Sequence, residues 1–177
     1  MAGLALGHGD ALEALYRLEA GSVYRYLLAL SGDAHAAADA TQQAFLALVS
    51  RPRDFNPLRG SLGAYLGGIG RHALLAHWQA AGRFESLGDE ALAHLPDQAA
   101  SPEAVLVRRQ DVALVHSAIV RLPLVYREAL VLVDLQERSY VDAAAIAGCE
   151  INTLRTRLHR ARQRLAMLLN AGPGETQ

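Results

Sequence analysis

Apolar residues recur at steps of three and four through most of the chain, and in no window do they alternate with polar residues as in a β-strand. This period predicts an all-α fold, with three helices in the first half over about residues 10–30, 34–50 and 62–80. The first can be one helix or two, because its pattern is interrupted near Gly21. A loop is predicted between the second and third helices, and Ser61 is a suitable N-cap for the third.

The second and third predicted helices differ in character. The second is amphipathic, with an apolar side formed by Ala38, Thr41, Phe45, Leu48 and Val49 and a polar side formed by Asp39, Gln42 and Gln43. The third contains Gly63, Gly67, Gly68 and Gly70. Each glycine costs about 1 kcal/mol relative to alanine inside a helix. We therefore expect this helix either to be held by tertiary contacts or to be locally mobile.

The second half again predicts only helices. One helix runs from about Glu103 to Arg121, and Pro123 stands at the first turn of another that reaches about Leu135. The apolar run 129–133 inside that helix predicts near-complete burial. After Ser139 come a short alanine-rich helix, a turn at Gly148-Cys149 and a long helix over about 151–168, which together predict a helix-turn-helix.

The last of these helices has two contrasting sides. Its apolar stripe consists of Leu154, Leu158, Ala161, Leu165 and Leu168. At 100° per residue the opposite arc holds Arg155, Thr156, His159, Arg160, Gln163 and Arg164, with Arg157 and Arg162 at its borders. One side is suited to packing and the other to an anionic partner such as DNA. The alternative is an arginine-rich helix that only faces solvent.

Charge strengthens the first interpretation. The chain has a formal net charge of −1 and no lysine, so its 17 basic residues are all arginine. Residues 151–177 carry five arginines and a single acid, whereas residues 83–102 carry one arginine and four acids. A basic stripe on an otherwise neutral or acidic protein indicates a local docking surface.

The same shifts in composition predict the domain organisation. We expect two small helical domains joined by a linker, the second containing the helix-turn-helix. The predicted boundaries are 1–82 for the first domain, 83–102 for an acidic linker, 103–170 for the second domain and 171–177 for a disordered tail.

Several classes of protein are not expected. Cys149 is the only cysteine, which excludes an intrachain disulfide, and it suits a small apolar position in the turn. No signal peptide or membrane-spanning run is predicted, so we expect a cytoplasmic protein. The histidines lack metal-ligand spacing, and no phosphate loop or catalytic constellation is present. We therefore expect no metal, no cofactor, no catalytic residue and no enzymatic activity.

Motifs in both halves resemble those of the extracytoplasmic-function (ECF) sigma factors of bacterial RNA polymerase. In the second half the matching residues are Leu122-Pro123, Arg127-Glu128, Ser139-Tyr140, Gly148-Cys149, Thr153 and the run 157–162. In the first half they are the runs 15–17, 24–26, 38–42, 45–46, 55–60 and 71–72. The resemblance covers roughly residues 10–80 and 103–169, as the family's second and fourth conserved regions.

The resemblance implies three sets of binding residues and a set of partners. For the minus-thirty-five promoter element they are Thr153, Arg155, Thr156, Arg157, His159, Arg160, Arg162 and Arg164. For the minus-ten element they are Arg71, His72, His77 and Trp78, and for the β′ subunit of core RNA polymerase they are Asp39, Gln42 and Gln43. The implied partners are core polymerase, promoter DNA and, in addition, an anti-sigma factor. Among the helix residues, we expect Arg155, Thr156 and Arg160 at or near base edges, and Arg157, Arg162 and Arg164 at phosphates.

The chain departs from the family pattern in the first half. Gln43 replaces a usual glutamate, His72 replaces a usual asparagine, and the segment 77–83 contains a single arginine where the family carries several basic residues. These departures motivate an alternative, a sigma-like adaptor or anti-sigma-binding module that does not open promoters. A stand-alone helix-turn-helix regulator is a third hypothesis, which predicts a dimer and a palindromic site.

Overall fold

The computed structural model describes residues 9–82 and 108–170, and every regular element in these ranges is helical. The α-helices are α1 (Gly9–Ser31), α2 (Ala34–Ser50), α3 (Leu62–Ala80), α4 (Arg108–Val120), α5 (Leu124–Leu130), α6 (Tyr140–Ala147) and α7 (Ile151–Asn170). The all-α prediction is confirmed. None of these helices is both long and apolar enough to cross a bilayer. The predicted linker 83–102 and tail 171–177 lie outside the described residues.

Local chemistry sets the helix boundaries much as predicted. The hydroxyl of Ser61 accepts a hydrogen bond from the backbone N–H of Ala64 at 3.1 Å and begins α3. The hydroxyl of Ser139 accepts one from the N–H of Asp142 at 3.0 Å and begins α6. Each cap satisfies a donor in the first turn that has no partner within the helix. No break occurs at Gly21, and α1 is a single continuous helix.

The N-cap of α2 is Asp33, whose carboxylate accepts hydrogen bonds from the N–H groups of His35 at 2.8 Å and Ala36 at 3.1 Å. The bond from Ala36 is the main cause that lowers the pKa of Asp33. The cap therefore stabilises the fold above the ordinary pKa of an aspartate. Its contribution is lost as the pH falls through the folded-state pKa.

We expect Asp33→Ala to lower the free energy of unfolding by about 1 kcal/mol at neutral pH. The difference from the unmodified protein should shrink in acid, where the unmodified cap is itself protonated. Urea denaturation followed by circular dichroism at neutral and acidic pH measures both effects. The matched control is Asp39→Ala, which removes an exposed carboxylate from the same helix away from its cap. An equal loss in the two variants would contradict a capping role.

Helices α1, α2 and α3 form an N-terminal bundle with a well-packed interior. The side chains of Tyr26, Leu27, Leu30, Leu48, Leu66 and Leu74 are almost completely buried. At one end of the bundle, the rings of Tyr16 and Phe45 lie 4.8 Å apart between centroids. Asp39, Gln42 and Gln43 lie on the exposed side of α2, and His72 and His77 are exposed on α3.

Three glycines of α3 lie at close contacts with other parts of the chain. A β-carbon at Gly70 would stand 2.8 Å from Cδ1 of Leu27, and one at Gly67 would stand 3.2 Å from Cδ1 of Ile146. A β-carbon at Gly63 would be 2.7 Å from the guanidinium of Arg138. These contacts favour the first of the two interpretations of this helix: tertiary packing holds it, and the glycines permit that packing.

The neighbouring Gly68 provides a comparison, because a β-carbon there would meet no atom within 4 Å. We expect Gly68→Ala to raise the free energy of unfolding by about 0.5–1 kcal/mol through reduced backbone entropy. Gly70→Ala should instead lower it by about 1–3 kcal/mol, because Leu27 is fully buried and must shift. Thermal unfolding of the two variants tests the pair. If both substitutions shift the unfolding temperature in the same direction, packing does not distinguish position 68 from position 70.

Helices α4 to α7 form a C-terminal bundle. The predicted burial of the run 129–133 is confirmed for its first four residues, and Val133 is partly buried. After α5 the hydrogen-bond register widens into a π-helical turn, Val131–Leu135, in which the N–H of Gln136 reaches the carbonyl of Val131 at 2.9 Å. Glu137 then takes a left-handed φ of 53°, and the chain turns toward α6.

The two bundles pack against each other through a cluster of buried polar groups. The carboxylate of Glu128 in α5 accepts hydrogen bonds from the Tyr26 hydroxyl at 2.7 Å and from Nε of Arg71 at 2.6 Å. All three residues are at most 9% exposed. Burial and the charge of Glu128 raise the pKa of Tyr26. The pKa of Arg71 is raised by Glu128, against the opposite effect of burial. We call these three residues the Glu128 cluster.

Further contacts between the bundles surround this cluster. Ile146 of α6 lies against Gly67 of α3. The guanidinium of Arg127 donates to the carbonyl of Leu30 at 3.0 Å. Side chains after the π-helical turn reach α1, where the Gln136 amide donates to the carbonyl of Ser22 at 2.9 Å. Helix α6 is thereby held against α3 on one side while it supports α7 on the other.

Candidate nucleic-acid interface

The turn between α6 and α7 has the geometry of a helix-turn-helix. Gly148 ends α6 in the left-handed region, with φ 63° and ψ 38°, and its N–H bonds to the carbonyl of Ala144. A side chain at this φ is strained, which explains the glycine. Cys149 is half-buried against the core, as a small apolar residue would be. Helix α7 then begins at Ile151.

The apolar stripe of α7 faces the C-terminal bundle as predicted. Leu154, Leu158 and Ala161 are buried, and Leu165 and Leu168 are partly buried against the same core. The opposite arc is therefore open. Exposed side chains on it are Arg155, Thr156, His159, Arg160 and Gln163. This arc offers guanidinium, imidazole, hydroxyl and amide groups, all of which can hydrogen-bond to base edges or phosphates.

The first turns of α7 hold their exposed groups in place. The Thr156 hydroxyl donates to the carbonyl of Asn152 at 3.0 Å. The guanidinium of Arg155 lies 5.5 Å from the centroid of the Tyr140 ring and 3.4 Å from the Asn152 amide oxygen. Thr153, which the resemblance also assigned to the promoter, is half-buried beside them. Such contacts reduce the side-chain freedom that binding has to remove.

The three arginines predicted to contact phosphates are all in contact with the protein itself. Arg162 makes a bidentate pair with Asp134 at 2.6 and 2.9 Å, and this hydrogen bonding raises the pKa of Arg162. The Arg164 guanidinium lies over the Tyr126 ring at 4.7 Å. Arg157, expected at the border of the arc, is buried at 6% exposure. Their assignment to phosphates stays a prediction.

The four residues predicted for the minus-ten element do not share one environment. His72 and His77 are exposed on α3, and Trp78 is half-buried against the core of the N-terminal bundle. Arg71 is buried in the Glu128 cluster, although it adjoins His72 in sequence. Of these four residues, only the two histidines are exposed.

A cleft that was not predicted from the sequence lies beside His72. It has a volume of about 340 Å³ and is bounded by the 54–61 loop, α3 and, at one wall, Ala145 of α6. Phe55 and Tyr65 line it with rings 5.4 Å apart at 57°, and burial raises the pKa of Tyr65. The sequence feature that could have indicated this cleft is Phe55, an aromatic residue in a largely polar loop. The structure places that loop beside His72. Within 9–82 and 108–170, no group of three or more His, Cys, Asp or Glu side chains is placed to hold a metal.

The residues predicted to bind polymerase lie together on the exposed side of α2. Asp39, Gln42 and Gln43 are all exposed. The same side continues one and two turns later with Leu46 at 57% exposure and Val49 at 45%. Val49 was predicted on the buried side of this helix together with Ala38, and the structure exposes both. The result is a mixed polar and apolar surface, which is typical of a protein-binding site.

The fold and site define an all-α protein built around a helix-turn-helix. Comparison with family models places two known regions on it: sigma-70 region 2 over residues 15–84 and sigma-70 region 4 over residues 113–165. The ECF RNA polymerase sigma factor SigC of Mycobacterium tuberculosis is 34% identical over 171 residues, covering 97% of this chain and 89% of SigC. EcfG of Rhodopseudomonas palustris is 32% identical and covers 88% and 86% of the two chains. The chain belongs to the ECF RNA polymerase sigma factors.

Solved structures agree with this placement. The sigma factor RpoE of Bartonella quintana, in complex with the anti-sigma factor NepR, matches with a TM-score of 0.69 at 25% identity, covering 92% of this chain and 99% of RpoE. CnrH, in complex with the cytosolic domain of CnrY, has the same fold, with a TM-score of 0.70 at 24% identity over 97% and 95% of the two chains.

Proposed function

We propose that this protein is a promoter-specificity subunit that binds core RNA polymerase and directs it to the start of particular genes. The observation that carries the proposal is the open basic arc of α7, held behind a left-handed glycine turn in a chain that belongs to the ECF sigma factors. The protein acts in the cytoplasm, and its role is to position the polymerase, with no chemistry of its own.

In this proposal the C-terminal bundle recognises the minus-thirty-five element through α7. Arg155, Thr156 and Arg160 are exposed on the arc and are suited to base edges in the major groove. His159 and Gln163 extend the same surface. The domain boundaries 1–82 and 103–170 are part of the proposal, with region 2 in the first domain and region 4 in the second.

The N-terminal bundle serves the minus-ten element. The cleft beside His72 is open to solvent, is lined by the tilted rings of Phe55 and Tyr65 and carries the amide of Asn56 in its lining. We propose that it receives an unpaired base of the melted strand, because an aromatic face stacks on any base and an amide can read its edge. His77 and Trp78 lie further along the same helix, where they can contact the strand that leaves the cleft.

We expect Tyr65→Leu to weaken binding of the holoenzyme to a single-stranded minus-ten oligonucleotide about tenfold. The reason is that stacking on an aromatic ring contributes about 1–3 kcal/mol per base. Fluorescence anisotropy with labelled oligonucleotide measures the loss. Leu58→Ala is the control, since Leu58 is exposed on the same loop but does not line the cleft. If Tyr65→Leu binds the minus-ten oligonucleotide as tightly as the unmodified protein, the cleft is not part of the minus-ten site.

An anti-sigma factor is a second proposed partner. The support is the similarity to RpoE, which was solved in complex with the anti-sigma factor NepR. A pull-down from the native cell, with the bound proteins identified by mass spectrometry, tests this proposal and the polymerase proposal together. Recovery of the β′ subunit supports the sigma role, and recovery of a small regulator without polymerase supports the adaptor alternative.

Run-off transcription with purified core polymerase is the decisive test of the proposed function. Addition of this protein should yield transcripts that start at a defined position on its own promoters and should yield none on templates that lack the minus-thirty-five element. The protein alone should bind such DNA weakly, because a single helix-turn-helix buries little DNA surface. Tight binding of a palindrome by a dimer, without polymerase, would instead support a stand-alone regulator.

A further inference from the structure

The exposed arginines of α7 are held by the rest of the protein in different ways. Arg155 lies over an aromatic ring, and Arg162 is bound by a carboxylate. Arg160 makes no hydrogen bond, ion pair or ring contact within residues 9–82 and 108–170. A guanidinium contacts a ring through its flat face, but it binds a carboxylate, a phosphate or a guanine through its N–H edge. The kind of partner therefore decides which arginine keeps that edge available for DNA.

Arg155 is held by its face. Its guanidinium lies 5.5 Å from the centroid of the Tyr140 ring, at the start of α6. Nη1 also donates to the side-chain oxygen of Asn152 at 3.4 Å, which uses one of the five N–H groups of a guanidinium. The residue is otherwise exposed. Enough N–H groups therefore remain for a bidentate contact with a base.

Arg162 is held by its edge. Nε and Nη2 donate to the two carboxylate oxygens of Asp134 at 2.9 and 2.6 Å. The carboxylate also supplies a counter-charge, so a phosphate would have to displace it. Arg162 lies two turns after Arg155, about 10 Å further along the helix axis, whereas the N-terminal residues of a recognition helix contact the base edges. This pair therefore ties α7 to the π-helical turn.

Local structure fixes the position of the Tyr140 ring. Tyr140 is the first residue of α6, directly after the N-cap Ser139, and its side chain is 38% exposed. The left-handed turn at Gly148 brings the first turns of α7 back beside it. The sequence motif Ser139-Tyr140 matched the family pattern, but no role in binding followed from it. The structure places its aromatic ring under a proposed base-reading side chain.

We propose that Tyr140 is a positioning residue for sequence recognition, which orients Arg155 toward a guanine of the minus-thirty-five element. The inference rests on the proposed function. The ring restricts the rotation of the Arg155 side chain and leaves N–H groups for O6 and N7 of the base. Binding then removes less side-chain freedom, and the gain applies to the base pair that Arg155 contacts. Arg162 serves the packing of α7 and contacts no base.

Run-off transcription with core polymerase tests the proposal on promoters that carry each single-base change in the minus-thirty-five element. The relative yields give the discrimination at each base position. Arg155→Ala should reduce discrimination about tenfold at one position. Tyr140→Leu should reduce it about threefold at that same position and leave the other positions unchanged. Tyr140→Phe keeps an aromatic face and should retain the discrimination. Val141→Ala is the matched control, since it shortens an exposed apolar side chain on the same turn of α6.

A double variant separates positioning from direct contact with DNA. In the Arg155→Ala background, Tyr140→Leu should cause no further loss, because no guanidinium is left to orient. A loss as large as in the unmodified background would show that Tyr140 contacts DNA itself, and a uniform loss at every base position would assign it to the folding of the helix-turn-helix. Either result overturns the proposal. If the unmodified protein directs no transcription, the proposed function fails as well. If it discriminates bases and Arg155→Ala discriminates equally, only the inference fails.

The contrasting role of Arg162 is tested with Asp134→Asn. This substitution removes the carboxylate charge and releases the N–H edge of Arg162. The affinity of the holoenzyme for promoter DNA should then fall more steeply with salt, by about one additional counterion. Discrimination among bases should not change, because a phosphate contact carries no sequence information. An unchanged salt dependence would show that Asp134 does not withhold Arg162 from DNA, and a new base preference would place Arg162 at a base edge; both contradict the proposal.

Discussion

Replacement of Leu46 by arginine is expected to weaken binding of core polymerase about 100-fold. Leu46 is 57% exposed on α2, directly between the polar residues Gln42 and Gln43 and the exposed Val49. An exposed leucine within a polar rim is the kind of side chain that a partner buries completely. A charge in that position would have to be desolvated without a counter-charge, at a cost of about 3 kcal/mol or more.

The measurement is the dissociation constant of the complex with core polymerase, obtained by competition with the unmodified protein. Leu58→Arg is the matched control, because it introduces the same charge at an apolar residue that is 93% exposed outside this surface. Gln42→Ala should have a smaller effect, about tenfold or less. If Leu46→Arg binds as tightly as the control, the polymerase contact lies elsewhere on the molecule.

Loss of the Arg160 side chain is expected to have the second largest effect. Arg160 is exposed on the open arc of α7. If it makes a bidentate contact with a guanine in the minus-thirty-five element, Arg160→Ala should cost about 1–3 kcal/mol of promoter affinity, or about five- to 150-fold. The variant should also discriminate less at one base position, because the lost hydrogen bonds carried sequence information.

Transcription from promoters with single-base changes in the minus-thirty-five element distinguishes base contact from phosphate contact. A base contact gives a loss that disappears when its partner base is changed. A phosphate contact gives a uniform loss with a salt dependence reduced by about one counterion. Arg17→Ala, which removes an exposed arginine from α1, is the control. Unchanged transcription by Arg160→Ala would remove the residue from the site.

Features determined by nearby residues were predictable from the sequence. The cap at Ser61 and the turn at Gly148 depend on chemistry within four positions, and both predictions are confirmed. The cap at Ser139 is equally local, although it was not predicted. The stripe of α7 was predictable for the same reason, since helical periodicity needs no knowledge of the partner. The family motifs then assigned the exposed arc to DNA.

Features that depend on distant residues were not predictable. Glu128 pairs with Arg71, which lies 57 positions away, and no local sequence pattern indicates this contact. Arg157 stood at the border of the arc, and its burial depends on how the rest of the bundle covers that border. The change to a π-helical turn at Val131 could not be predicted either. An apolar run indicates that residues are buried, but it does not indicate which backbone groups hydrogen-bond to each other.

The rim of the contact between the bundles differs chemically from its centre. Arg127 and Gln136 donate to the main-chain carbonyls of Leu30 and Ser22. Main-chain carbonyls do not depend on the side chain at their own position, so these two hydrogen bonds do not by themselves require a particular residue at 22 or 30. Arg71 and Glu128 cannot be substituted independently, because each makes its contact through the side chain of the other. Among descendants of this sequence, we therefore expect correlated substitution at 71 and 128, and independent substitution at 30 and 127.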